Sequence, residues 1–231
     1  MSKAKRKAAA IEQREQTRKR FVAFGLAALV LVGVVVAVIN MGKQAAPEAT
    51  GPDPRAAALA SEHAATIGDP GAKVHIVEFL DPACGTCAVF YPMVKGWLRE
   101  APDKLRLTVR HVPFHTGVDY VVQIIEASRE QGKYWETLEA LLMSQREWVT
   151  NHVVQQDRVL PAIAGVGLDM ERLMADMNSP AVLARIQKDQ EDAITLKVSA
   201  TPEYFVNGRP LPSFGQQQLL DLVREELDKA Y

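Results

Sequence analysis

Apolar residues in the first part of the chain are concentrated in one uninterrupted block. Residues 21–39 form a run of 19 residues without a charged side chain. As a helix rising about 1.5 Å per residue, this run would be ~28 Å long, close to the ~30 Å hydrocarbon core of a bilayer. A cleavable signal peptide has a shorter apolar stretch of about 7–15 residues. A buried core helix does not fit either, because no face of this segment is polar and a dense block of basic residues precedes it. The block therefore predicts a retained transmembrane helix.

Beyond residue 72 the hydrophobic pattern switches between strand-like and helix-like periods. The near-continuous apolar run at 73–80 predicts a buried strand. The alternation at 105–112 predicts a second strand. Between them, apolar residues on one broad helical face predict a helix over 84–99. The order strand, helix, strand favours a right-handed parallel unit.

The second half of the chain is predicted to be mainly helical. Residues 117–197 show helical spacing and no convincing strand, which indicates an insertion of about 80 residues. Asn207-Gly208 follows, between the apolar residues at 204–206 and Arg209-Pro210-Leu211, and this pattern is a strong hairpin signal. An amphipathic helix is predicted over 217–229. The helices predicted within the insertion cover residues 118–131, 134–144, 152–164, 170–177 and 182–196.

The segment between the apolar block and the first strand is rich in Ala, Pro and Gly. Within it we predict a tether over 43–55, a short helix over 56–66 and a turn at Gly68-Asp69-Pro70-Gly71. These features predict an α/β fold preceded by one transmembrane helix. The expected organisation is a basic tail at 1–20, the span at 21–39, a linker at 40–65 and one domain at 66–231 that contains the helical insertion.

Charge is distributed unevenly, although the formal net charge is −1. Residues 1–20 hold eight Lys and Arg against two Glu, which leaves 19 basic and 26 acidic side chains in the rest. An acidic body argues against binding nucleic acid. The positive-inside rule places the basic tail in the cytoplasm and residues 43–231 outside. In a bacterium this is a single-pass inner-membrane protein with a periplasmic domain, where disulfides can persist.

The two cysteines lie three positions apart, at the predicted junction of a strand and a helix. A bridge between Cys84 and Cys87 closes too short a loop to stabilise the fold much, which favours a chemical role. The unpaired N–H groups of the helix N-terminus would stabilise a thiolate at Cys84. Cys87, one turn further, could attack a mixed disulfide formed there. Cys84 is thus the candidate nucleophile and Cys87 the resolving thiol.

A metal site is an alternative use of the same thiols. Zinc normally takes four protein ligands, but the sequence has no second cysteine pair and its five histidines lack ligand spacing. We therefore predict no zinc site and no cofactor. Two thiolates suffice for Cu(I), so a membrane-anchored Cu(I) carrier remains an alternative to a redox enzyme. An inert membrane-bound adaptor is a third hypothesis.

Four separated features of the sequence occur together: the strand–Cys84-Gly85-Thr86-Cys87–helix arrangement, Glu78 six residues before Cys84, Pro92 five residues after Cys87, and Thr201-Pro202 just before the 204–206 strand. Over about residues 66–230, these features resemble the thioredoxin superfamily. The helical insertion and Gly68-Asp69-Pro70 are similar to its DsbA-like branch of exported thiol–disulfide oxidoreductases. The resemblance implies a thioredoxin fold with a helical insertion and a redox-active disulfide.

The resemblance also implies roles for residues outside the cysteine motif. Glu78 corresponds to a buried acid that accepts the proton of Cys87. Pro202 corresponds to a cis-proline that places the backbone of Thr201 beside the disulfide, where it pairs with an extended substrate chain. Read without the resemblance, Glu78 could be a strand-end residue that reaches solvent. Likewise, Pro202 would follow an ordinary trans bond, since only about 5–6% of such bonds are cis.

The direction of electron flow stays open at this point. The dipeptide Gly85-Thr86 lacks the histidine that stabilises the thiolate in strongly oxidising DsbA proteins, which predicts a less oxidising disulfide. Thr201 before the proline and Gly85 after the first cysteine resemble DsbC-like isomerases instead. The expected activity is dithiol–disulfide exchange on cysteine-containing exported proteins. The expected redox partner is a membrane protein of the DsbB-like or DsbD-like kind.

Overall fold

The computed structural model describes residues 53–60 and 62–231. The predicted basic tail, the predicted transmembrane helix over 21–39 and most of the predicted linker lie outside the described residues. Within the described ranges, no helix combines the length and the apolar character that crossing a bilayer requires.

The described elements alternate between strands and helices, with a mostly helical segment between β3 and β6. Single turns of 3₁₀ helix follow α3 at Arg129–Gln131 and α6 at Ala164–Val166. In chain order the elements are α1 (Pro54–Ala60), β1 (Ala65–Gly68), β2 (Val74–Leu80), α2 (Gly85–Glu100), β3 (Leu105–His111), α3 (Val118–Ser128), α4 (Tyr134–Met143), α5 (Gln145–Trp148), β4 (Val149–Thr150), β5 (Val153–Val154), α6 (Gln156–Ala162), α7 (Met170–Asp176), α8 (Pro180–Leu196), β6 (Glu203–Val206), β7 (Arg209–Pro210) and α9 (Gln216–Ala230).

A five-stranded sheet in the order β1-β3-β2-β6-β7 forms the centre of the domain. The near-continuous apolar run of β2 lies in its middle, parallel to β3 from Val74↔Leu105 to Leu80↔His111. The predicted parallel strand–helix–strand unit is therefore confirmed. On the other side β6 pairs antiparallel with β2, and β6 and β7 form the predicted hairpin around Asn207-Gly208.

The two faces of the sheet bury different sets of side chains. One face packs against α2, where Phe90, Val94 and Leu98 contact the larger core. The opposite face buries Phe79 and Phe205 against α1 and α8. Pro92 lies inside α2, as predicted. Because residues alternate along a strand, even-numbered residues of β2 face α2 and the cysteine motif, which begins where β2 ends.

The sequence prediction was wrong at the start of the domain. The helix predicted over 56–66 ends at Ala60, and Ala65–Gly68 forms an antiparallel edge strand on β3. Thr66 lies opposite Thr108, and their hydroxyl oxygens are 2.6 Å apart. At Gly68, φ is 111°, and a Cβ would lie 2.5 Å from the carbonyl oxygen of Leu105. Cross-strand pairing thus overrides the helix preference of the alanines that precede it.

The prediction that residues 117–197 contain no strand was also wrong. The short strands Val149–Thr150 and Val153–Val154 pair as a hairpin. Its turn residues, Asn151 and His152, have φ of 51° and 63°. The helix predicted to begin at 152 therefore starts only at Gln156. The other predicted helices of the insertion lie at α3, α4, α7 and α8, with ends shifted by a few residues.

Candidate active site

Cys84 is the N-cap residue of α2, placed there by the turn that ends β2. Its backbone is extended, with φ of −76° and ψ of 117°, and its side chain caps no helix N–H. The thiol instead donates to the carbonyl oxygen of Thr201, 3.2 Å from Sγ. Both cysteines are free thiols, with Cys84 8% exposed and Cys87 fully buried. The structure thus brings the cysteine motif and the Thr201-Pro202 loop together, although they are far apart in sequence.

The surroundings of the two sulfur atoms make them chemically unequal. A hydrogen bond from the Cys87 thiol makes the largest contribution to lowering the pKa of Cys84, which is about 5. Burial opposes this effect. The backbone N–H groups of Cys87 and Thr86, together with Thr201, add to it. Burial raises the pKa of Cys87 far above its ordinary range, and the nearby charges of Cys84 and Glu78 add to this effect. The expected fall in the pKa of Cys84 is therefore confirmed. The largest contribution comes from Cys87 itself.

We predict that the reduced protein titrates one thiol with a midpoint at about pH 5. Ultraviolet absorbance of the thiolate measures this directly. Because the pKa of Cys84 is lower in the folded than in the unfolded chain (about 8.5), ionisation stabilises the reduced fold. This stabilisation is fully present above about pH 8.5 and is lost as the pH falls through 5.

Two variants are the controls for that titration. Cys84→Ser should lack the step altogether. Cys87→Ala should move the midpoint upward, since it removes the strongest hydrogen bond to Cys84. A wild-type midpoint near the value of a free thiol would contradict the geometry described here.

Glu78 lies in the middle of β2 and is fully buried. Tyr204, its direct partner across β2 and β6, donates from its hydroxyl to Oε1 at 2.9 Å. Burial raises the pKa of Glu78 to about 8, opposed by the Tyr204 hydrogen bond and reinforced by the charge of Cys84. The reading of Glu78 as a strand-end residue in solvent is therefore wrong. The carboxyl can hold or release a proton near neutral pH.

The Thr201–Pro202 peptide bond is cis, as the resemblance implied. It borders a groove of about 250 Å³ beside the cysteine motif. Phe214 is 55% exposed and stacks on Phe90 of α2, with ring centroids 4.9 Å apart. The groove is mostly apolar and open at one side of the motif. Its lining residues are Thr86, Ala200, Thr201, Pro202, Glu203, Tyr204, Leu211 and Phe214.

Asp81 fixes the loop that carries the cysteines, and sequence reasoning missed it. The carboxylate is fully buried. Oδ1 accepts from the N–H of Ala83 at 2.7 Å. Oδ2 accepts from the N–H groups of Phe114 and His115, at 2.7 and 2.9 Å, and lies 2.8 Å from Nδ1 of His115. Asp81 therefore joins the loops that follow β2 and β3. The sequence signal that could have identified Asp81 is an acidic residue directly after a predicted buried strand.

Gln145 holds the same loop from the helical insertion. Its side chain is buried, and Nε2 donates to the carbonyl oxygens of Pro82 at 2.7 Å and Cys84 at 3.0 Å. No local sequence pattern marks this residue, because its partners are some sixty positions away. In the described part of the chain, no group of three His, Cys, Asp or Glu residues could hold a metal ion.

Comparison with known proteins agrees with this geometry. Residues 60–225 match the family model described as Thioredoxin. Among solved structures, a thioredoxin-like oxidoreductase from Silicibacter pomeroyi DSS-3 is 30% identical with a TM-score of 0.63. That alignment covers 74% of this chain and 95% of the other. The predicted thioredoxin fold with a helical insertion is thereby confirmed.

Curated relatives differ in how much of their length they share with this chain. The Na(+)/H(+) antiporter NhaA of Herminiimonas arsenicoxydans is 33% identical over 144 residues, which is 62% of this chain but 22% of the antiporter. The chain thus spans about a fifth of that relative. A probable disulfide bond formation protein D from Bacillus anthracis is 26% identical over 90% of this chain and 93% of its own. The chain therefore belongs to the thioredoxin family, in which its neighbours among solved structures are DsbA-like oxidoreductases.

Proposed function

We propose that this chain is a thiol–disulfide oxidoreductase that exchanges disulfides with exported proteins through Cys84 and Cys87. The observation that carries the proposal is the inequality of the two thiols at one helix N-terminus. Cys84 has a pKa of about 5 and lies against the cis-proline loop, whereas Cys87 is buried and protonated. An acidic, slightly exposed thiol beside a fully buried one is the arrangement that exchange requires.

The oxidising reaction would proceed through a mixed disulfide. A client thiolate attacks Sγ of Cys84, the Cys84–Cys87 bond breaks, and its electron pair leaves on Cys87, which takes a proton. The client is now bonded to Cys84. A second client thiolate attacks the client sulfur of this bond and expels Cys84 as a thiolate. The client gains one disulfide, and the two cysteines of the protein gain two electrons and become dithiol.

The groove supplies a place for the client chain beside the reacting sulfur. The carbonyl oxygen of Thr201 lies 3.2 Å from Sγ of Cys84, so main-chain groups of this loop are within reach of a peptide attached there. Phe214 and Leu211 offer apolar contacts along the groove. We propose that Thr201 and Pro202 bind an extended client segment, while Gly85 and Thr86 leave the approach to Cys84 open.

The acidity of Cys84 favours donation of the disulfide to clients. A thiol with a low pKa stabilises the dithiol form as its thiolate, and this makes the disulfide form a better oxidant. We therefore propose that formation or reshuffling of disulfides is preferred over dedicated reduction. The backbone N–H groups and Cys87 supply the stabilisation here, so a charged side chain at position 85 or 86 is not needed for it.

We further propose that residues 21–39 anchor the protein in the bacterial inner membrane, with the domain on the periplasmic side. The uncharged 19-residue run and the basic block before it support this orientation. In that oxidising compartment, disulfides can form in the exported clients and persist there. A DsbB-like or DsbD-like membrane protein would then restore the working redox state after each cycle.

The test is oxidative refolding of a reduced, disulfide-containing protein by the whole chain, with equilibration against glutathione to measure the reduction potential. We expect catalysed disulfide formation and a potential above the thioredoxin value of about −270 mV. A potential at the thioredoxin value would reject the oxidising direction. Tight stoichiometric binding of Cu(I) without any exchange would reject the enzyme in favour of a carrier that uses the same thiols.

A further inference from the structure

We propose that Tyr204 is a positioning residue that holds the Glu78 carboxyl at the cysteine pair and sets the pH range in which Cys87 resolves mixed disulfides. This inference rests on the proposed function and deepens it. In the sequence, Tyr204 is recognisable only as one of the apolar residues of a predicted strand.

The geometry confines both side chains to one arrangement. Glu78 and Tyr204 are direct partners across β2 and β6, so their side chains leave the sheet on the same face. Tyr204 is fully buried, and its ring stacks on Phe90, with centroids 6.2 Å apart at 27°. Phe90 lies one turn after Cys87 on α2. The phenol is therefore held between the sheet and the helix that carries the cysteines.

The hydroxyl of Tyr204 is the hydrogen-bond donor that the structure gives to Glu78. It donates to Oε1 at 2.9 Å, while Oε2 is buried and has no partner among the described residues. A donor to one oxygen stabilises the ionised carboxyl in a site that otherwise disfavours charge. It also fixes the carboxyl's orientation and leaves the second oxygen free to take a proton.

This arrangement gives the resolving step a defined proton route. When Cys87 attacks Sγ of a mixed disulfide at Cys84, it must first lose its proton. The proton passes to the Glu78 carboxylate, the Cys87–Cys84 bond forms, and the client sulfur leaves with the electron pair of the broken bond. The charge of Glu78 acts on Cys87, and the charge of Cys84 acts on Glu78, so the ionisations of the three groups are coupled.

Tyr204→Phe removes the hydroxyl and keeps the ring, so it separates positioning from packing. We expect the carboxyl of Glu78 to become harder to ionise, by about one pH unit, a tenfold change in its dissociation constant. The midpoint of the pH profile for resolution should rise by the same amount. The profile is measured on the whole chain, by following release of a chromogenic aromatic thiol from its mixed disulfide with Cys84. Carbon-13 NMR titration of Glu78 supplies a readout that needs no turnover.

Tyr91→Phe is the matched control. Tyr91 is also buried, lies on α2, and donates from its hydroxyl to a carboxylate, Oε1 of Glu139 at 3.1 Å. That variant should leave the midpoint where it is. Glu78→Gln should remove the titration that Tyr204→Phe displaces, and adding Tyr204→Phe to Glu78→Gln should cause no further change in the profile.

Two results would overturn the proposal. In the first, Tyr204→Phe lowers the rate by one factor at every pH with the Glu78 titration unmoved, which is a purely structural effect. In the second, Tyr91→Phe moves the midpoint as far as Tyr204→Phe does. If the wild-type chain resolves no mixed disulfide at any pH, the proposed function fails. The NMR titrations of the two tyrosine variants then still decide whether Tyr204 controls Glu78.

Discussion

Replacing Cys84 by serine is expected to lower disulfide exchange by at least about a thousandfold. A serine hydroxyl stays protonated under conditions in which Cys84 is a thiolate, and it forms no disulfide. The change is close to isosteric, so the fold should persist. The measurement is catalysed refolding together with thermal unfolding of the same variant. Retained exchange with an intact fold would place the chemistry elsewhere.

Cys87→Ala is the complementary change, and it should trap clients instead of abolishing attack. Without the resolving thiol, mixed disulfides at Cys84 should accumulate and run as adducts on a non-reducing gel. The variant also loses the strongest hydrogen bond to Cys84, so the pKa of Cys84 rises and adducts should form faster as the pH is raised. Adducts that persist in the double variant Cys84→Ser, Cys87→Ala would show that they are not attached through this site.

Asp189→Ala is expected to destabilise the domain by about 3–5 kcal/mol, because it removes one of the two carboxylates that are paired with a buried guanidinium. Arg110 is fully buried on β3 and is paired with Asp189 and Asp192 of α8. Asp189 also accepts from the backbone N–H of His111 at 2.7 Å and lies 2.8 Å from Nε2 of His63. One carboxylate thus serves three partners at the junction of β3 with α8.

Denaturant unfolding of the whole chain measures this loss. The matched control is Asp228→Ala on α9, whose side chain is exposed, and its effect should stay within about 0.5 kcal/mol. Burial alone would raise the pKa of Asp189, but His63 and Arg110 hold it below its ordinary value. The contribution of Asp189 is therefore present above about pH 4 and is lost as the pH falls further. Equal losses for the two variants would contradict the role assigned to the buried pair.

The parts of the fold that could be predicted are those with a strong local period. A few neighbouring residues are enough to predict three such features: the apolar run of β2, the helical face of α2 and the Asn207-Gly208 turn. β1 could not be found this way, because it is short, follows alanines and is stabilised by pairing with β3. The hairpin of β4 and β5 has two residues in each strand, which is too short for a period to show.

The candidate site divides in the same way. The cysteine motif and Thr201-Pro202 are recognisable because each is a short motif in a fixed structural context. The partner of Glu78 could not be recognised in the sequence. Tyr204 is 126 positions away, and its local pattern indicates only an apolar strand residue. The acidity of Cys84 was predicted in direction from the helix N-terminus. Its main source, the Cys87 thiol, depends on side-chain geometry that only the folded site supplies.

The hydrogen bonds from Gln145 make the helical insertion a requirement of the redox loop, not an appendage to it. A chain cut back to the elements that flank the insertion would lose the Gln145 amide that donates to the carbonyl groups of Pro82 and Cys84. The carbonyl of Cys84 would keep the N–H of Ala88 at 3.2 Å, but the buried carbonyl of Pro82 would lose its donor, at a cost of about 1–3 kcal/mol. Transplanting this loop onto a smaller scaffold would therefore demand a substitute amide at the same place, and natural variation in one segment should be matched by variation in the other.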